Sequence, residues 1–284
     1  MKPGTSDGKH TWWSDPGAHR LRLSELPDRP VAIADNLEEF VIHHAVARQI
    51  GFGVPAAAEG DRSLRRASLL LGEVVRRDAR PLSVHRAIED YVYVTCRDFA
   101  LLAVSAFRER GIPARLRAGF ASYFNPGYWE DHYVCEHRFD GEWAVLDAQL
   151  GPRARAGLRI GFDIADVPPT GWRSAASAWR AVRSGELDPG IVGLSSAGIA
   201  GEWWIAASVL RDAAALAGSE CLPWDDWGPS HSFRSTRRVL PEQARDIDAL
   251  AEALDPAPRN RQEAHAVLAR FPWAAPPNGA FDTL

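Results

Sequence analysis

The chain has 284 residues, 46% hydrophobic and 25% charged, with a formal net charge of −4. This is the profile of a globular protein able to bury a sizeable core, longer than one ordinary domain and shorter than two comfortable ones. It excludes a basic nucleic-acid binder: of 33 basic residues only Lys2 and Lys9 are lysine, and the arginines are spread rather than clustered. No stretch of Met1–Arg20 has the apolar run of a signal peptide or membrane span, so a cytoplasmic protein with no membrane partner is expected.

After a leader holding Trp12-Trp13, Asp35 reads as an N-cap with Glu38 three residues on, opening a helix to about Ile50. A second helix is expected from about Arg62 to Arg77, with Leu64, Ala67, Leu71, Val74 and Val75 on one side, ending before Pro81. The third spans Cys96 to Arg110. Thr95 opens it, arginines fill its last turn, Gly111 stands just past its end and Pro113 beyond.

From Ala114 the period changes to two, predicting strands at 114–123, 132–139 and 142–148, broken by Asn125-Pro126-Gly127 and by Asp140-Gly141. A helix followed by an antiparallel meander predicts an α+β fold. Further on, helical stretches fall near 174–183 and 203–217, followed by an aromatic segment, Leu222 to Gly228. One more helix is expected from about Pro241, then a proline-rich tail at 272–277 expected to be poorly ordered. The expected organisation is an N-terminal helical elaboration (1–60), a core (61–165) and a C-terminal helical elaboration with tail (166–284), forming one compact unit.

Cys96, Cys135 and Cys221 are odd in number and widely spaced, which suits neither a disulfide framework nor a zinc site, so free thiols are expected. Cys96 differs from the other two in its place. The first turn of a helix offers unpaired N–H groups and the positive end of the dipole, which favour a thiolate. Its stripe-mates Phe99, Ala100, Ala103 and Phe107 anchor the helix by an apolar face. Taken alone, a buried small hydrophobe is the commoner role of a cysteine.

The hairpin adds the rest. Asp140-Gly141 is a strong two-residue turn signal, pairing Phe139 with Glu142. Continuing outward, Val134 faces Asp147 and His132 faces Gln149, which sets His132 and Asp147 diagonally on one face of the ribbon. His137 and Cys135 fall on the other face, and a turn one residue longer would exchange them. A histidine held by a carboxylate is the general base that a cysteine nucleophile uses, so Cys96, His132 and Asp147 are the candidate catalytic residues.

In Thr95-Cys96-Arg97-Asp98-Phe99-Ala100-Leu101-Leu102, Gly111-Ile112-Pro113-Ala114-Arg115, His132-Tyr133-Val134-Cys135-Glu136 and Trp143-Ala144-Val145-Leu146-Asp147 the sequence resembles the transglutaminase-like superfamily, particularly its bacterial members. The resemblance covers about residues 90–150. It implies a papain-like core, a nucleophile helix packed on an antiparallel sheet, with helical elaborations at both ends, and Cys96, His132 and Asp147 as its triad. Val94, Val134 and Ala148 stand where the family often has glycine, tryptophan and proline, departures that bear on the oxyanion site and substrate channel. The backbone N–H of Cys96 is an expected oxyanion donor.

Tyr123, Phe124, Tyr128 and Trp129 lead into the histidine strand and are candidates for an acyl-pocket wall, although aromatic residues more often fill a core. His43 and His44, read as neighbours on a helix, should point apart, which argues against a metal pair. Asp225, Asp226 and Glu220 read as a solvated loop rather than a cation site, and His231 has no evident partner. No metal or cofactor is implied.

Two classes of function follow. The first is an enzyme forming a thioester at Cys96 from an amide or activated acyl donor on a small-molecule, peptide or carrier-bound substrate, with water or an amine as acceptor. The second is an idle triad scaffold whose partner surface is built on Trp203, Trp204, Trp224 and Trp227, a reading that exposed tryptophans would favour.

Overall fold

The computed structural model describes residues 6–277 and Phe281. The fold is α+β. The chain divides into two compact units, Met1–Arg115 with Val134–Val167, and Leu116–Tyr133 with Pro168–Thr283.

The first unit begins with α1 (Arg20–Leu23), α2 (Pro30–Leu37), β1 (Val41–His43), α3 (His44–Gln49), α4 (Ala67–Arg77), β2 (Val92–Val94) and α5 (Cys96–Glu109). The helix expected from Asp35 to Ile50 is therefore three elements. β1 interrupts it because Val41, Ile42 and His43 pair in parallel with Val92, Tyr93 and Val94 of β2, a long-range partner that overrides helical spacing. α4 opens at Ala67 rather than Arg62, with a 3-10 turn at Asp61–Ser63 ahead of it.

Helix α5 forms as read: Cys96 to Glu109, with Gly111 left-handed at φ +69° just beyond. Its residues from Cys96 to Arg108 are all buried. α1, α2 and α4 pack against it, supplying Leu23, Ile33, Leu37, Leu70 and Leu71 to the core. The leader packs here too: the carbonyl of buried Trp13 accepts the Ala67 N–H at 2.8 Å, and Ser105 Oγ donates to the Ser14 carbonyl at 2.7 Å.

β3 (Ala114–Ala121), β4 (Trp129–Phe139), β5 (Glu142–Leu146) and α6 (Pro152–Leu158) follow, with the division between units falling inside β3 and β4. β4 and β5 pair antiparallel from Phe139↔Glu142 to Cys135↔Leu146, the register expected from Asp140-Gly141. Both turn residues have positive φ, +47° and +87°, as a type I′ turn requires.

The second unit holds the first half of β4 and most of β3, followed by β6 (Trp172–Ser174), α7 (Ala175–Arg183), β7 (Val192–Leu194), β8 (Ile199–Ala200), α8 (Glu202–Leu216), α9 (Ser230–Thr236), α10 (Pro241–Leu254) and α11 (Arg261–Arg270). β6 is antiparallel to β3, β7 runs parallel to β4 at Trp129↔Val192, and β8 is antiparallel to β7. α8 is buried from Trp203 to Leu216 and packs on α7, α9 and α10. α11 is a helix beyond the single one expected after Pro241. The segment 272–277 is not loose over its first residues: Pro272–Ala274 form a 3-10 turn, Ala274 is buried, and its carbonyl accepts the Trp227 indole N–H at 2.8 Å. The last three residues of the chain lie outside the described ones.

Among the described residues no helix is long and apolar enough to cross a membrane.

Candidate active site

Cys96 is the first residue of α5 and retains 8% of its accessible surface, whereas Cys135 and Cys221 have 0% and 2%. None of the three is joined in a disulfide. The start of α5 is fixed by a buried polar network. The Asp98 carboxylate accepts the Thr95 N–H at 2.9 Å and the Thr95 hydroxyl at 3.0 Å, and pairs with Arg97 at 2.9 Å; the Arg97 guanidinium also donates to the Arg65 carbonyl at 2.6 Å. Burial pushes the Asp98 carboxyl above its ordinary value, and the Arg97 charge and the Thr95 donors pull it back. The network clamps the residue before Cys96, and with it the backbone N–H groups around the sulfur.

Asp147 stands one residue past the last β4–β5 pair and is fully buried. Its N–H donates to the Ile164 carbonyl at 2.9 Å and its Oδ1 accepts the Gln149 N–H at 2.9 Å, so the carboxylate is held by its own turn. Cys96 and Asp147 belong to the first unit.

His132 belongs to the second unit, on β4, with 2% exposure. Phe124 meets its ring edge-on with centroids 4.7 Å apart, and Tyr123 does so at 6.2 Å. Its carbonyl accepts the Trp172 indole N–H at 3.2 Å. Trp172 comes this close because position 119 is glycine: a Cβ there would lie 2.6 Å from the Trp172 ring and 2.1 Å from the Arg173 carbonyl oxygen. Of the four aromatic residues proposed as a wall, Tyr123 and Phe124 are thus on the histidine. Tyr128 instead donates to the Ile199 carbonyl at 2.8 Å, and Trp129 lies under the Arg173 guanidinium at 4.9 Å.

His137 packs flat on Phe107 of α5, centroids 4.7 Å apart, and burial holds its imidazole below the ordinary value. Cys135 is on the same side of β4 by alternation. His43 and His44 do not share a helix: His43 ends β1 and His44 opens α3, so the rings stack at 4.7 Å instead of pointing apart. The sequence reading missed this because the strand was hidden in an apparent helix. It also passed over Asp131, next to His132, whose carboxyl burial pushes up to about 6 against the pull of the Arg211 and His132 charges.

Asp226 pairs with Arg211 at 3.3 Å and with Arg234, and Asp225 Oδ2 accepts the Leu222 N–H at 2.9 Å, so this segment is ordered by its acids. His231 is exposed. Among the described residues no group of three or more His, Cys, Asp and Glu side chains is arranged to hold a metal ion.

Residues 72–148 match the family model of the transglutaminase-like superfamily. This part of the chain, which carries α5 and the β4–β5 hairpin, is thus similar to that superfamily. The match points to cysteine-dependent catalysis by an enzyme of the hydrolase or transferase type. A crystal structure from Cytophaga hutchinsonii, named "Putative Cysteine Protease", is similar over 50% of this chain and 40% of its own, at 20% identity and a TM-score of 0.34; this chain thus spans less than half of that one. No curated protein matches the sequence.

Proposed function

We propose that the protein is a cysteine-dependent acyl-transfer enzyme in which Cys96 is the nucleophile, His132 its base and Asp147 the group that orients the histidine. Cys96 Sγ attacks the carbonyl carbon of an amide or activated acyl donor, its proton passing to His132. The tetrahedral oxyanion takes hydrogen bonds from N–H groups at the start of α5, including that of Cys96. The leaving group departs with the proton from His132, and a thioester remains. Water then gives a hydrolase, an amine gives an amide-forming transferase, and the substrate is a small molecule, peptide or carrier-bound acyl group.

The observation that carries this reading is the start of α5: a free thiol at the first helical position, still reached by solvent, over a network that fixes the preceding residue. The pairing from Phe139↔Glu142 to Cys135↔Leu146 is the register from which the choice of His132 over His137 is argued. The scaffold alternative needed exposed tryptophans. Trp203, Trp204 and Trp227 are buried, and of the four Trp224 alone is exposed, at 37%.

A substoichiometric dose of iodoacetamide at pH 7, mapped by peptide mass, should label Cys96 before Cys135 or Cys221; the opposite order overturns the assignment. Asp147→Asn should fold and lower turnover of an activated ester by roughly 10³–10⁴-fold, since the amide favours the wrong tautomer and cannot stabilise the imidazolium. His137→Ala should lower stability, through loss of the Phe107 stack, far more than turnover.

A further inference from the structure

β1 and β2 run parallel and end in register, His43↔Val94, and both lead into helices. β2 passes through Thr95 into α5 at Cys96, and β1 passes straight into α3 at His44. The starts of the two helices are therefore neighbours, with His44 level with Thr95, the residue before Cys96. A hydrogen bond ties them: His44 Nδ1 lies 3.3 Å from the carbonyl oxygen of Val94, two residues before the cysteine. A carbonyl only accepts, so in the neutral ring Nδ1 carries the proton and Nε2 the lone pair. Among the described residues nothing engages His44 Nε2, and the residue is half-buried.

The ring is also held from the side. His43 stacks on it at 4.7 Å with planes 30° apart, and His43 is fixed in turn by accepting the Ala45 N–H at its Nδ1, 3.2 Å away. The charged groups facing His44 are Arg62, Arg48 and Asp98. Burial is the largest influence and lowers its pKa. The Val94 carbonyl and Asp98 oppose that effect, while Arg62 and Arg48 reinforce it.

We propose that His44 is a second proton acceptor beside Cys96, serving the acyl acceptor in the step that releases the enzyme. This rests on the acyl-enzyme reading above. The acceptor's oxygen or nitrogen forms a bond to the thioester carbonyl carbon. The C–S bond breaks, its electron pair returning to Cys96 Sγ, and the acceptor's proton moves to His44 Nε2 and then to solvent. A fixed, neutral imidazole with an open Nε2 is the state this transfer requires. His132 on β4 is then the base of acylation and His44 that of deacylation.

The test uses p-nitrophenyl acetate as acyl donor and water or glycinamide as acceptor. Wild type should give a burst of nitrophenolate, one per Cys96, followed by a slower phase set by deacylation. His44→Asn keeps a donor toward the Val94 carbonyl but has no base. Its burst should persist while the slow phase falls roughly 10²-fold with either acceptor, with a shallower acid limb in its pH profile. His44→Ala, which also loses the tie to Val94, separates the structural part of the effect. A slow phase of wild-type rate in His44→Asn overturns the inference and leaves the acyl-enzyme reading standing. Equal loss of burst and slow phase in His44→Asn makes the residue structural and overturns it too. No burst in wild type, or a burst that survives Cys96→Ala, overturns the acyl-enzyme reading itself.

Discussion

Helices α5 and α8 are both buried along nearly their whole length, and both carry charges inside, but they place those charges differently. In α5 the Arg97–Asp98 pair is at the first turn and reaches back to Thr95, so its polar groups hold the helix end where the cysteine is. In α8 the charges come late. Asp212 accepts two hydrogen bonds from Arg117 of β3 at 2.8 Å each and the Ala118 N–H at 3.0 Å, which joins the middle of the helix to a strand. One network presents a backbone terminus; the other fastens two elements. A buried ion pair by itself therefore says little about function, and its position along the helix says more.

The largest expected effect falls on α8. Asp212→Ala leaves the Arg117 guanidinium buried, at 3% exposure, without its carboxylate. Breaking such a pair costs about 3–5 kcal/mol, read as a drop in the denaturation midpoint. Replacing both members, Arg117→Met with Asp212→Leu, should recover part of that loss, since no uncompensated charge is left. Alkylation of Cys96 in the folded fraction should keep its rate. A slowed rate would break the contrast between the helices.

A smaller loss of stability, about 1–3 kcal/mol, is expected from Asp98→Asn, which keeps a side-chain acceptor for Thr95 but leaves Arg97 without its counter-charge. Here the readout that distinguishes α5 is reactivity. With the clamp on the residue before Cys96 loosened, iodoacetamide labelling of Cys96 should slow, in contrast with Asp212→Ala. Unchanged labelling would reduce the Arg97–Asp98 network to plain core packing.

What could be read from the sequence follows the same line between local and distant causes. α5 was legible from end to end because its signals are its own: Thr95 at the start, arginines in the last turn, Gly111 and Pro113 past the end. The hairpin was legible because Asp140-Gly141 fixes register within a few residues. β1 was not, since three residues spaced like a helix became a strand only through β2, fifty residues on. The stacking of His43 on His44 was lost with it. The ordered Pro272–Ala274 turn escaped for a similar reason, since what holds it is the distant Trp227 indole. Asp131 gave no signal at all: a carboxylate on a strand reads as solvent-facing until an α8 arginine and its burial are known.

Asp131 supplies the smallest and most specific test. Its carboxyl is moved from an ordinary 3.8 to about 6, first by burial and also by the Glu130 charge, while the Arg211 and His132 charges act the other way. Arg211 is drawn off by Asp226, 3.3 Å away, and so does not cancel the cost of burying a second carboxylate. A carboxyl whose folded-state value is raised binds its proton more tightly in the folded protein. Its contribution to stability is therefore full below about pH 4 and is lost as pH rises through about 6. Asp131→Asn imitates the protonated form at every pH. It should match wild type near pH 4 and exceed it at pH 7.5 by on the order of 1–2 kcal/mol, less than the full shift because the residue is only partly shielded from water. Denaturation midpoints at pH 4.5, 6 and 7.5 measure this directly. Should Asp131→Asn be less stable than wild type at pH 7.5, Arg211 holds Asp131 as an ion pair, and α8 presents its charges to the histidine strand as well as to β3.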